Sequence, residues 1–187
     1  MPSGQTHDRL TWIGCPIIAV AVGCLSRLWQ LGAIAGISYL VGGLFLSPDL
    51  DTYSLPYQRW GYLRWLWWPY RQWIPHRSVL SHGPIIGTVL RLIYGGCWLG
   101  VLFLFLVALQ RMSAHLGVAQ ENILPRGEFL WSDVLAWIDL SLRSHPYHWL
   151  TAFMGLEVAA MVHYLSDWGV SRFKGTMSRM KRSRRRH

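Results

Sequence analysis

The sequence predicts an all-α, polytopic membrane protein, with about four transmembrane helices plus interfacial amphipathic helices. Three observations predict it. The 187-residue chain is 52% hydrophobic, with a mean hydropathy of +0.22. Four long apolar segments recur along it. Its 12 Trp gather mainly between those segments and not inside them. A membrane-spanning helix needs about 20 mostly apolar residues. Trp and Tyr concentrate where one end of the ring is apolar and the other is wet, as at a bilayer surface. A soluble helical protein would require neither the long third segment nor so many interfacial rings.

The first apolar segment runs from about Leu10 to Trp29 and the second from about Leu31 to Ser47. The turn near Gln30-Leu31-Gly32 is tight, so the two read as a helical hairpin. The second carries Gly32, Ala33, Ala35, Gly36, Gly42 and Gly43. Small residues let helices approach closely in a bilayer, which suits the middle of a bundle. The third segment, Pro84 to Leu109, is the longest, and the fourth runs from about Trp149 to Val170. Between the second and third, Pro56 to His76 interleaves Trp60, Tyr62, Trp65, Trp67, Trp68, Tyr70 and Trp73 with Arg59, Arg64 and Arg71. Pro56, Pro69 and Pro75 break this stretch into short pieces. It is expected to lie in the headgroup layer. Glu128 to Arg143 is amphipathic and reads as an interfacial helix ending at His145-Pro146. Residues 1–171 thus form a single helical membrane domain. Residues 172–187 are a basic tail, and such runs are usually solvated and disordered.

Cys15, Cys24 and Cys97 lie inside apolar stretches without C-x-x-C spacing. They are expected to be small buried hydrophobes and not a disulfide framework. The leader carries His7 and Asp8 as well as Arg9, and no A-x-A cleavage pattern follows, so the first segment is expected to remain as a helix. The formal net charge of +9 calls for an anionic partner. Anionic membrane lipid fits best. Arg–aromatic mixtures also stack on bases, but the flanking helices place this one at a bilayer, which ranks nucleic acid lower. The sequence does not identify a protein partner.

Topology brings the polar residues together. With the N-terminus on one side, the hairpin returns Asp49 and Asp51 to that side. The aromatic segment stays there, and His76 and His82 precede the third helix. The fourth helix returns and delivers His163 and Asp167. His7, Asp49, Asp51, His76, His82, His163 and Asp167 therefore converge on one membrane face. His163 and Asp167 are an i, i+4 pair on one helical face. Asp49 and Asp51 lie within one turn at a helix end. Mixed imidazole and carboxylate ligands suit a divalent transition metal, with zinc ahead of manganese or iron. Seven candidates exceed one tetrahedral shell, so either two ions bind or some of the seven support the others. Lys and Arg are denser on this face, which the positive-inside rule makes cytoplasmic. That implies a prokaryotic inner or thylakoid-type membrane crossed several times, with both termini cytoplasmic. Arg91 and Glu157 sit at similar depth within the third and fourth helices. Charges there are costly and usually paired, so an Arg91–Glu157 ion pair is expected.

The ordered set Thr6-His7-Asp8, Pro48-Asp49-Leu50-Asp51, His76-Arg77-Ser78 with Ser81-His82-Gly83, and His163-Tyr164-x-x-Asp167 resembles an uncharacterised family of metal-binding membrane proteins found in cyanobacteria and other prokaryotes. The likeness includes Arg59-Trp60-Gly61 and covers most of the chain. The same set is similar to the LexA-regulated inner-membrane metal-dependent hydrolases, a group related distantly to zinc-dependent phospholipase C. The chain departs from that pattern at Leu80-Ser81-His82-Gly83, where those hydrolases have Thr-His-Ser. The resemblance implies a metal site and, less directly, hydrolysis.

The first functional expectation is a metal-dependent hydrolase of phosphoester, lipid-like substrates. In it Asp51 (or Asp49) serves as base and Arg77 neutralises phosphate charge. The alternative is a non-catalytic membrane protein, in which the metal clamps helix ends and the basic tail binds anionic lipid or a partner. A transporter ranks last, because nothing polar continues from Arg91 and Glu157 to the opposite face.

Overall fold

The computed structural model describes residues 4–76, 78–115 and 131–184, and these are helical with short connections and no strand. In chain order they form α1 (Gly4–Ser26), α2 (Trp29–Leu44), a 3-10 turn (Pro48–Asp51), α3 (Leu55–Arg59), a 3-10 stretch (Gly61–Trp67), α4 (Trp68–Trp73), α5 (Val79–His82), α6 (Ile86–His115), α7 (Trp131–Ser144) and α8 (Pro146–Arg184). The all-α expectation holds. Three segments, Gly4–Ser26, Trp29–Asp51 and Ile86–Met112, are long and apolar enough to cross a membrane. The fourth expected span exists as part of α8 but does not reach that threshold among the described residues. Glu157, His163, Asp167 and the basic residues that follow make α8 the most polar of the long helices.

The α1–α2 hairpin forms as the sequence predicts. Its turn is made by Arg27, whose φ of 56° is left-handed. Ser26 steadies it, with Oγ donating to the Val22 carbonyl at 2.7 Å and accepting from the Leu28 amide at 3.2 Å. The small residues of α2 do the work expected of them. A Cβ on Gly32 would meet the α1 backbone, with Gly23 Cα at 3.0 Å. On another face, a Cβ on Gly42 would meet Leu156 and Ala159 of α8 at 3.0 Å. From α8, Gly155 lies so close to α2 that a Cβ there would be 2.8 Å from the Ala35 carbonyl. So α2 is sandwiched between α1 and α8, backbone nearly on backbone.

α1 begins at Gly4 and not near Leu10, because the polar first turns, including His7, Asp8 and Arg9, are helical too. Hydropathy marks only the apolar part of a helix. Likewise α8 continues through the basic run to Arg184 instead of ending near residue 171. No proline interrupts it, and Lys and Arg near a helix C-terminus complement the macrodipole. α6 starts two residues after Pro84, following Ile85 at φ 63°. The amphipathic helix begins at Trp131, and Glu128 lies outside the described residues. Cys24 and Cys97 are exposed on outer helix faces and not buried; Cys15 is half-buried and points its thiol at the Gly36 carbonyl.

The aromatic stretch folds into a small cap. Leu50, Tyr57, Trp67 and Tyr70 form its buried centre, packed against Trp60, Leu90 and Tyr94. Tyr94 of α6 donates to the Leu66 carbonyl, and Trp65 meets Trp98 edge-on. Further along α6, Leu99, Leu104 and Phe105 are all exposed among the described residues.

The close packing of the hairpin sets a testable contrast. Gly32→Ala should destabilise the protein by about 1–3 kcal/mol, because the backbone of α1 must move. Gly95→Ala, with nothing within 4 Å, should leave stability unchanged or raise it by under about 1 kcal/mol. Thermal unfolding of the detergent-solubilised variants distinguishes the two.

Candidate metal centre

Four pieces of backbone meet at one end of the bundle. The first turns of α1 carry His7. The 3-10 turn after α2 carries Asp49 and Asp51, with Pro48 at its start. The connection from α4 through α5 carries His76 and His82, and Ser78 caps α5 by accepting from the Ser81 amide at 3.3 Å. The middle of α8 carries His163 and Asp167. All seven expected residues are thus brought together. Arg77 lies outside the described residues.

The contacts are short. His7 Nε2 lies 3.2 Å from Asp167 Oδ1, and His163 Nε2 lies 3.3 Å from Asp49 Oδ1 and 3.8 Å from Asp167 Oδ2. The His7 and His163 rings stack, with centroids 3.9 Å apart. On the other side of Asp49, His76 Nδ1 lies 2.9 Å from Asp51 Oδ1. His82 approaches Asp51 at 3.7 Å and Asp49 at 3.9 Å. Three groups of potential ligand atoms result, each within 4.8 Å of one another: His7, Asp49 and His163; Asp49, His76 and His82; His82, His163 and Asp167.

The hydrogen bonds decide which ring nitrogen faces inward. Ser166 Oγ donates to the His163 carbonyl at 2.8 Å, so its oxygen accepts from His7 Nδ1 at 3.1 Å. Ser81 Oγ has the Pro75 carbonyl as acceptor at 3.2 Å, so it accepts from His82 Nδ1 at 2.8 Å. His76 Nδ1 donates to the Asp51 carboxylate. With Nδ1 protonated in all three rings, each Nε2 presents a lone pair. His7 Nε2 therefore faces Asp167 Oδ1 acceptor to acceptor. Asp167 Oδ1, Asp51 Oδ2, His82 Nε2 and His163 Nε2 are all buried without a hydrogen-bond partner. Buried acceptors left unpaired are expensive. A cation among them removes that cost. Ligand atoms about 2.0–2.1 Å from a tetrahedral ion lie roughly 3.3 Å apart, which matches the His7–Asp167 and His163–Asp49 separations. The donor set therefore fits a metal.

The serines and the outer ion pair are what the sequence reading missed. Ser47 Oγ lies 3.4 Å from His163 Nδ1, so Ser47, Ser81 and Ser166 each back a different imidazole. Each stands beside a candidate ligand or within two positions of one, and that adjacency was the available signal. Asp8 pairs with Arg59, which also donates to the Leu44 carbonyl at 3.0 Å. This ties the α1 start to α3 and the end of α2, and so holds His7 in place. The expected Arg91–Glu157 pair does not form. Both side chains are buried, but Arg91 reaches back to the Ser81 carbonyl at 2.9 Å and to Thr88 at 3.1 Å. Glu157 instead accepts from the Ile85 amide at 2.9 Å. The turn before α6 has free backbone groups that outcompete a distant side chain. Both charges still support the site, because they fix the loop that carries His82.

A cavity of about 260 Å³ opens onto one side of the cluster, with His7, Asp49 and His163 at its wall beside Asp8, Ser54 and Gln58. Asp51, His76 and His82 do not line it. Asp51, expected as a base, has its side chain wholly buried, so it reaches the cavity only through its neighbours.

The family of uncharacterised metal-binding proteins (DUF2227) matches residues 2–177, nearly the whole chain, and the protein belongs to it. An uncharacterised protein of Aquifex aeolicus is 48% identical over 60 residues, which cover 32% of this chain and 42% of that one. The match thus spans under half of the relative's length. No solved structure matches.

Burial pushes the His82 imidazole below its usual 6.5, against the pull of Asp51 and Asp49. An unfolded chain then takes up a proton at this site before the folded one does. Stability of the metal-free protein should be full above pH 6.5 and decline as the pH falls through the lower, folded value. Thermal unfolding in chelator between pH 7 and about pH 5 checks this. The His82→Gln variant should show a flatter pH dependence.

Proposed function

We propose that the protein is a metal-dependent hydrolase embedded in a prokaryotic inner or thylakoid-type membrane, acting on a small phosphoester such as a lipid headgroup at the cytoplasmic face. The observation that carries the metal is the set of buried ring nitrogens and carboxylate oxygens left without a hydrogen-bond partner, with His7 Nε2 and Asp167 Oδ1 facing each other acceptor to acceptor. The cavity beside them favours chemistry over a purely mechanical role, since a clamp needs no space next to its ion. Zinc suits the imidazole-rich ligand set better than manganese or iron, and oxygen-seeking magnesium and calcium suit it least. The apolar helices, with α8 packed along α2 as a fourth crossing, and the basic excess on the site's side support a cytoplasmic site with both termini there.

His7, His163, Asp49 and Asp167 hold the metal at the cavity, and His76, His82 and Asp51 complete the cluster. A bound divalent ion supplies Lewis acidity and a water of lowered pKa. Asp51 orients His76, and Ser166, Ser81 and Ser47 orient His7, His82 and His163. Such partners of metal-binding imidazoles fix ring tautomer and direction. The cavity admits a headgroup-sized molecule and leaves acyl chains to the bilayer. Arg77, adjacent to His76, is assigned to neutralising phosphate charge, and the basic tail to anionic lipid.

Elemental analysis of the purified full-length protein in detergent should find stoichiometric transition metal. Chelation, or Asp49→Asn, should lower hydrolysis of a generic phosphodiester by more than about 100-fold while helical circular dichroism persists. Absence of metal overturns the proposal. If metal is present, hydrolysis is absent and chelation only lowers the melting temperature, the ion clamps the helix ends and the catalytic reading fails.

A further inference from the structure

We infer that the cluster holds two metal ions that share the Asp49 carboxylate, and that only one of them faces the cavity. The inference rests on the metal reading above and adds to it the number of ions, their division of ligands and their unequal exposure.

Three observations carry it. The first is how the ligand groups divide. His7, Asp49 and His163 form one group, and Asp49, His76 and His82 another; Asp49 alone belongs to both. The third group, His82, His163 and Asp167, takes members from each side, so the two positions adjoin. Four imidazoles and three carboxylates are too many for one tetrahedral shell. Divided at Asp49, they give His7, His163, Asp167 and Asp49 on one side, and His76, His82 and Asp49 on the other, with Asp51 bonded behind His76. Both are imidazole–carboxylate sets of a kind that transition metals accept.

The second is charge. Asp49, Asp51 and Asp167 are at most about one-fifth exposed. Among the described residues none of the three pairs with Lys or Arg; the nearby cation, Arg59, is committed to Asp8. Three buried carboxylates beside neutral imidazoles need compensation. One divalent ion would leave the cluster at net −1. Two bring it to net +1. That sign matters for the ligand, because a cluster at +1 attracts a phosphate-type anion and one at −1 repels it.

The third is access. The cavity wall includes His7, Asp49 and His163 but neither His76 nor His82. The ion beside His7 and His163 therefore has room for an exogenous ligand. Across Asp49, Asp51 is fully enclosed and His82 is 15% exposed at its side chain; His76 is 35% exposed there but is no part of the cavity wall. The cavity-side position takes the anion, and the other is structural, anchoring α5 to the turn after α2. The ligand class is a small oxyanion or the phosphoryl group of a monoester, bound through oxygen on the cavity side.

The experiment uses the full-length protein in detergent, stripped with chelator and reloaded with Zn²⁺ or Co²⁺ alone. Wild type should take up two ions per chain by elemental analysis after desalting. His7→Ala and His76→Ala should each retain one, and Asp49→Ala should weaken both by at least tenfold in chelator competition. In the Co²⁺ form, inorganic phosphate should change the visible spectrum of His76→Ala, which keeps the cavity-side ion, and leave that of His7→Ala unchanged. One ion in wild type, lost in both single-histidine variants, overturns the two-ion arrangement while leaving the metal reading intact. No ion at all overturns both. A phosphate response of equal size in the two variants overturns the assignment of the cavity side. If either alanine variant is misfolded by circular dichroism, the Gln variant at the same position takes its place.

Discussion

Everything at the functional end of this protein depends on acceptors packed against acceptors. Four imidazoles and three carboxylates are held together in a largely buried cluster, and the tautomers set by Ser166, Ser81 and Asp51 turn lone pairs inward. Left alone, such an arrangement is repulsive and poorly solvated. It persists because the surrounding packing forces it. α2 lies against α1 and α8 through glycine contacts that allow little slack. The Arg59–Asp8 pair fixes the α1 start. Arg91 and Glu157 fix the loop before α6. The free energy of helix packing is thereby directed into holding a polar site ready for a cation.

The division of labour among the helices follows from their composition. α2, the residue-poorest in bulk, is the hub, because only small side chains let two neighbours approach it at once. α6 is the opposite case. Its large apolar side chains are spread evenly around the axis, and beyond its first turns Leu99, Leu104 and Phe105 are exposed among the described residues. Its N-terminus matters to the site through Arg91, Thr88 and Tyr94, while the helix as a whole is long and apolar enough to cross a membrane.

Much of this was legible in the sequence, for identifiable reasons. The convergence of His7, Asp49, Asp51, His76, His82, His163 and Asp167 followed from counting membrane crossings, which depends only on hydropathy. The small-residue pattern of α2 marked it as central. What stayed hidden involved choices between equivalent partners. Arg91 and Glu157 both reach the segment before α6, yet each finds a backbone group instead of the other, and hydropathy cannot see the unsatisfied carbonyl of Ser81 or amide of Ile85. The fourth segment is helical as expected, within α8, and its Glu157, His163 and Asp167 make it more polar than the other three. The serines behind the rings were passed over because a serine beside a histidine is common; their role emerges only when the hydroxyl proton is traced to a carbonyl.

The contact between His7 and Asp167 has a consequence for biogenesis. These residues lie in the first and last helices, yet they sit 3.2 Å apart with His7 also stacked on His163. No ribosome-bound intermediate that lacks α8 can assemble the side of the cluster built from His7, His163 and Asp167, however well its earlier helices have inserted. Capture of a cation there waits until α8 has been made, whereas Asp49, His76 and His82 meet without it.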